Sequence, residues 1–145
     1  MTDIEKLLAI EQIKQLKGKY FYYYDHKDWA RWKAEVWASD GRLELSEIDK
    51  VISGVDEIVE FCAASAGNQI SVHHGYTPIL EILTGETATG IWAMEDILRF
   101  PEGETSRYGY SFLHGWGHYH ETYVRGPSGW RIQSTRLTRL YVERS

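Results

Sequence analysis

The chain has 145 residues, enough for one domain with little left for a second. It is 43% hydrophobic and 26% charged with a formal net charge of −5, and no basic run exceeds two residues, which excludes recognition of a phosphate backbone and hence nucleic acid as a partner. The lone Cys62 excludes an intrachain disulfide and a cysteine-based metal cluster. No apolar stretch reaches bilayer-spanning length and no basic-then-apolar leader opens the chain, so a cytoplasmic protein with no membrane partner is expected.

Thr2 and Glu5 form a capping-box pattern at the start of a first helix. Ile4, Leu7, Leu8, Ile13, Leu16, Tyr20 and Tyr24 continue it at helical spacing. The helix is expected to loosen near Asp25. A second helix restarts at "DHKDW" with Asp28 as N-cap, carries Trp29, Trp32, Val36 and Trp37 on one stripe, and stops at "SDG", Ser39 to Gly41. A short strand over Arg42–Leu45 and a third helix over Val55–Ala66 follow. From there the period changes. Four segments of β character, Ile70–Leu83, Thr87–Phe100, Ser106–Val124 and Trp130–Val142, are separated by the turn signals "TGE", "PEGE" and "GPSG". Helices first and antiparallel strands last predict an α+β domain spanning residues 1–145, with a cone-shaped pocket between sheet and helices.

The aromatic content is 14%, including 6 Trp and 10 Tyr, which serves a core and subunit interface or lines a cavity for a flat apolar ligand. The stretch "YFYYYDHKDW" at 20–29 sets an acid and a histidine directly after a run of tyrosines. His73 and His74 are neighbours on a predicted strand and face opposite ways, so one of them can reach a pocket. A histidine beside a carboxylate becomes an oriented base. His114, His118 and His120 share a face of the third long strand with Trp116. "HYHE" looks superficially like a metal set, but Glu121 points to the face opposite His118 and His120, so no metal is expected. Glu95 and Asp96 face opposite ways, so one acid points inward and needs a partner. Arg136 and Arg139, three apart, offer one candidate on each face. No Walker loop, G-x-G-x-x-G, G-x-S-x-G or zinc-finger spacing is present. What remains suits proton transfer without a cofactor.

Three stretches carry a resemblance: "IEQIKQLKGKYFYYYDHKDW" at 10–29, "HHGYTPILEILTGETATGIWAMEDILRF" at 73–100 and the tail "YVRGPSGWRIQSTRLTRLYVE". Together they cover roughly half of the chain and resemble the bile acid 7α-dehydratases within the NTF2-like, SnoaL-like superfamily of cone-shaped α+β folds. The likeness is more distant to hexachlorocyclohexane dehydrochlorinase and scytalone dehydratase. It implies a cofactor-independent lyase that removes water from a steroid-like or polycyclic 3-oxo compound. It places catalytic roles on Tyr20, Asp25 and His73, and supporting or substrate-binding roles on Asp96, Tyr108 and Arg139; His114, on a strand where the dehydratases look less histidine-rich, is a further supporting or substrate-binding candidate. It also implies a small hydrophobic substrate and a homotrimer. A dehydrochlorinase-type lyase and a non-catalytic small-molecule binder are the alternatives; the dehydrochlorinase has a lysine where this chain has Tyr20. Tyr20 and Asp25 lie five apart, about 140° around an unbroken helix, so a shared site is expected to need the helix to end or bend before Asp25.

Overall fold

The first helix begins where capping chemistry predicts. In the computed structural model, which describes residues 1–145, α1 spans Asp3–Asp25. Thr2 Oγ1 accepts from the Glu5 N–H at 3.1 Å, and the Glu5 carboxylate accepts from the Thr2 N–H at 2.7 Å. Its buried face is Ala9, Ile13, Leu16, Lys17 and Tyr20. Ile4, Leu7 and Leu8, expected on the same stripe, stay exposed because the sheet reaches only the later turns.

Asp28 caps α2 as expected, accepting from the Arg31 N–H at 3.2 Å. This helix is one α turn, Trp29–Arg31, continued by a π turn, Trp32–Val36. It ends earlier than predicted. The chain leaves at Trp37 as strand β1, Trp37–Leu45, which includes the "SDG" read as a stop signal. Trp37 pairs with Ile132, and the register shifts before Arg42, so the small polar residues between them form an irregularity inside the strand. Pairing with a buried neighbour overrode the local turn signal. A 3-10 turn, Ser46–Ile48, and a left-handed Asp49 (φ 49°) lead to β2, Lys50–Ser53, a strand the sequence did not announce.

Helix α3 spans Val55–Ala66. Strands β3 (Ile70–Ile82), β4 (Thr87–Arg99), β5 (Phe112–Gly126) and β6 (Gly129–Arg144) complete one sheet in the order β2-β1-β6-β5-β4-β3. The sheet is mixed, because β1 runs parallel to β6 while all other pairs are antiparallel. β5 starts at Phe112, later than the predicted Ser106. The Ser106 hydroxyl accepts from the Tyr108 and Tyr110 N–H groups at 3.1 and 3.3 Å, and Gly109 is left-handed, so this stretch is a pinned loop.

Strand alternation divides the sheet into two faces. The inner face holds Trp92, Met94, Asp96 and Leu98 on β4, and Leu113, Tyr119, Glu121 and Tyr123 on β5, all buried. Bulges in β3 and β6 help the sheet curl around the helices without closing. No helix is long and apolar enough to cross a membrane.

One ion pair ties α1 to the sheet. Lys17 Nζ donates to Glu121 Oε2 at 2.8 Å, and neither side chain is more than 1% exposed. The Tyr123 and Thr135 hydroxyls each donate to the same carboxylate at 2.7 Å. The Lys17 ammonium also lies 3.8 Å from the Tyr20 ring centroid and 3.7 Å from that of Tyr119. Removing one partner of such a pair leaves an uncompensated buried charge. Lys17→Met is expected to cost about 3–5 kcal/mol in urea unfolding, and Lys17→Met with Glu121→Leu to recover most of it. Equal losses in the single and double variants would refute the coupling.

Candidate active site

Asp25 is held in place by the way α1 ends. The Lys27 N–H donates to the Tyr24 carbonyl and the Asp28 N–H to the Tyr23 carbonyl, with Lys27 left-handed at φ 57°. These two bonds are a Schellman stop, and they make Asp25 the last helical residue. The helix therefore runs through Asp25, contrary to the expected break before it. The site does not need that break. Tyr20 points at the sheet centre beside Tyr119, whereas Asp25 reaches sideways to β3, which curls up beside the helix.

The Asp25 carboxylate accepts three hydrogen bonds from β3. They come from Ser71 Oγ at 2.9 Å, the His73 N–H at 2.9 Å and His73 Nδ1 at 2.6 Å. A carboxylate only accepts, so Nδ1 carries a proton, and Nε2 is the ring nitrogen left without a protein partner. The His73 ring stacks on Phe21 at 6.3 Å and meets the edge of Tyr24 at 4.8 Å. Three bonds to one acid and two aromatic walls leave the imidazole a single orientation.

His73 lines a cavity of about 150 Å³ between the sheet, α1, α3 and the 106–110 loop. Tyr20, Tyr24 and Tyr119 line it too, and none of their hydroxyls bonds within the protein. Burial holds all three phenols well above the ordinary tyrosine range, so they stay neutral donors. Tyr24 and Tyr119 were not singled out from the sequence. The alternation of β5 could have marked Tyr119, which shares its parity with Glu121. Cys62 also lines the cavity, but burial pushes its thiol up to about 12, so it is no thiolate nucleophile.

Asp96 is the inward acid of the "MED" pair, and Arg139 is its partner. Arg139 Nη2 donates to Asp96 Oδ2 at 2.9 Å, Nη1 donates to Oδ1, and Nε donates to Glu47 at 3.2 Å. Burial disfavours the Arg139 cation, but Asp96 and then Glu47 outweigh it and push its pKa up. Glu47 was not anticipated; it sits in the turn before the unannounced β2. Tyr108 lines the cavity from the pinned loop.

His114 is a correction. It lies on the outer face of β5, where its Nε2 bonds Glu95 at 2.7 Å, and strand alternation keeps it from the cavity. His118 and His120 share that outer face, whereas Glu121 points inward to Lys17, so the "HYHE" set is split across the sheet. Arg136 is likewise exposed, unlike Arg139.

Two expectations follow. A Cβ added at Gly115 would stand 2.7 Å from Asp96 Oδ1 and closer still to Arg139 Nη1. Gly115→Ala is therefore expected to destabilise the fold by about 1–3 kcal/mol in a denaturant melt. The second concerns alkaline pH. The folded values of Tyr20, Tyr24 and Tyr119 lie above their unfolded value of 10.0, so their contribution is intact below that pH and is lost as pH rises toward the folded values. Phenolate absorbance should show these three ionising only with cooperative unfolding; their titration in the folded state would contradict their burial.

Comparison with known proteins gives the same frame. A putative scytalone dehydratase from Novosphingobium aromaticivorans superposes with a TM-score of 0.87 at 14% identity, covering 99% of this chain and 92% of its own. Hexachlorocyclohexane dehydrochlorinase LinA-type3 from Novosphingobium barchaimii gives 0.80 at 16% identity, over 99% and 94%. A Mycobacterium tuberculosis protein of unknown function gives 0.78 at 26% identity, over 96% and 76%. These likenesses establish the NTF2-like fold. A family model described as the SnoaL-like domain matches residues 5–136, and the chain belongs to that family.

Proposed function

We propose that this protein is a cofactor-independent lyase that eliminates water from a hydroxylated, flat, apolar carbonyl compound of steroid-like or polycyclic type. The observation that carries the reading is the Asp25–His73 pair, with the free Nε2 on a cavity lined by three neutral tyrosines, Tyr20 and Tyr119 buried and Tyr24 half-buried. Asp25 holds the Nδ1 proton and the ring orientation. His73 Nε2 takes the acidic proton from the γ carbon of the enone, which adjoins the hydroxyl-bearing carbon, the electron pair moves through the enone into a dienolate, and Tyr20 donates a hydrogen bond to the oxyanion. As the dienolate collapses, the C–O bond breaks, His73 returns the proton to the leaving hydroxyl, and water departs. Arg139 and Asp96 brace the cavity wall, and Tyr108 closes it from the loop. The structural neighbours named for dehydration and dehydrochlorination support elimination chemistry on this fold. Tyr20 favours the carbonyl-polarising reaction over loss of chloride. The exposed Ile79, Leu140 and Tyr141 of β3 and β6 fit a subunit interface, in keeping with a homotrimer.

A 7α-hydroxy-3-oxo-4-ene steroid tests the reading directly. Dehydration extends the enone to a dienone and shifts its ultraviolet absorption to longer wavelength. The shift is expected with the native chain. It should slow by about 10² or more in His73→Ala, by about 10² to 10³ in Tyr20→Phe, and clearly in Asp25→Asn. Tryptophan fluorescence that responds to the steroid with no spectral shift would favour a binding protein; undiminished turnover in His73→Ala would remove the base.

A further inference from the structure

The charges lining the cavity do not balance. Its acids are Glu47 and Asp96, and Arg139 takes both. Two further arginines, Arg107 and Arg144, line the same cavity, yet neither forms an ion pair or a side-chain hydrogen bond within the protein. Both are solvent-exposed residues that stand at the rim of a cavity lined mostly by apolar side chains, in a chain whose net charge is −5.

Both positions are built. Arg107 sits in the loop pinned by the Ser106 hydroxyl, and its guanidinium lies 5.1 Å over the Phe61 ring of α3. Arg144 projects from the end of β6 on the inner face, opposite Leu113. The row from Arg144 through Leu113 and Leu98 reaches Ser71 on β3, two residues from His73. Arg144 thus stands three strands from the strand that carries His73, about 14 Å along the sheet at ordinary strand spacing. The cavity also contains a buried serine hydroxyl, Ser65 Oγ, with no partner.

We propose that the ligand of this cavity carries an anionic oxygen group, such as a carboxylate or sulfonate, at the end remote from His73, and that Arg107 and Arg144 bind it. The guanidinium fork matches the geometry of such groups and forms charge-assisted hydrogen bonds to them. An anchor at one end and a base at the other set which carbon of a flat molecule meets His73 Nε2. The proposal rests on this cavity being the ligand site and names the substrate class for the reaction above.

A matched pair of fluorophores tests it. Anilinonaphthalene sulfonate and phenylnaphthylamine share one ring system and differ by the sulfonate. The native chain is expected to bind the sulfonate at least about tenfold more tightly at low salt, with added salt weakening only the sulfonate. Arg107→Gln with Arg144→Gln should bring the two affinities within about twofold while leaving the neutral fluorophore's affinity and the melting temperature unchanged. Arg107→Lys with Arg144→Lys should keep part of the preference. Equal affinities in the native chain would overturn the proposal. So would a preference that survives in the double Gln variant, as binding on the outer sheet face would produce. The result is independent of turnover. Sulfonate preference without dienone formation would sink the dehydratase reading and leave the anion site standing, and dienone formation without the preference would do the reverse.

Discussion

The buried contact between Lys17 and Glu121 is the constraint from which the cavity's geometry descends. Lys17 has one carboxylate and two aromatic faces for partners, and Glu121 has three donors. Sliding or rotating α1 would strand both charges in an apolar interior, where each costs several kcal/mol (~5 or so). The helix therefore has one register against the sheet. Tyr20 lies one turn beyond Lys17, and Asp25 lies at the helix end, so that register aims both.

Each polar group inside the cone then has a distinct task. Asp25 spends both oxygens on β3, fixing the His73 tautomer as well as its position. Asp96 is occupied by Arg139, so it does not compete for the imidazole. Glu121 lies on the inner face but is fully engaged with Lys17, Tyr123 and Thr135. The groups left free include an imidazole nitrogen, the phenol hydroxyls of Tyr20, Tyr24 and Tyr119, and two guanidinium groups. A base, neutral donors and a cationic anchor divide along the length of one cavity.

The outer face of the sheet shows why residue type alone misleads. His74, His114, His118 and His120 gather there, and His114 and His74 share Glu95. This cluster is richer in histidine than the cavity is. It lacks enclosure: its members are half-buried or exposed, and no helix covers them. A base needs a walled site in which proton transfer and ligand binding coincide; His73 has one between α1 and the sheet, whereas His120 lines only a more open depression.

Local chemistry was legible in the sequence wherever it depended on neighbours along the chain. The capping box at Thr2 and Glu5, the Asp28 cap, the bounds of α3 and the opposite facing of Glu95 and Asp96 all follow from side-chain reach and from periods of 3.6 and 2. The resemblance, carried by short motifs, pointed to Tyr20, Asp25, His73, Asp96 and Arg139 before any contact was known. The tertiary structure decided what depends on residues far apart. It converted "SDG" from a helix stop into a strand irregularity, because Trp37 pairs with Ile132. It put His114 outside, because the face that β5 buries is set by where the helices lie and not by β5 itself. It brought Tyr119, Arg107 and Arg144 to one cavity from a strand, a loop and a strand end. Periodicity states which residues share a face; only packing states which face becomes the interior.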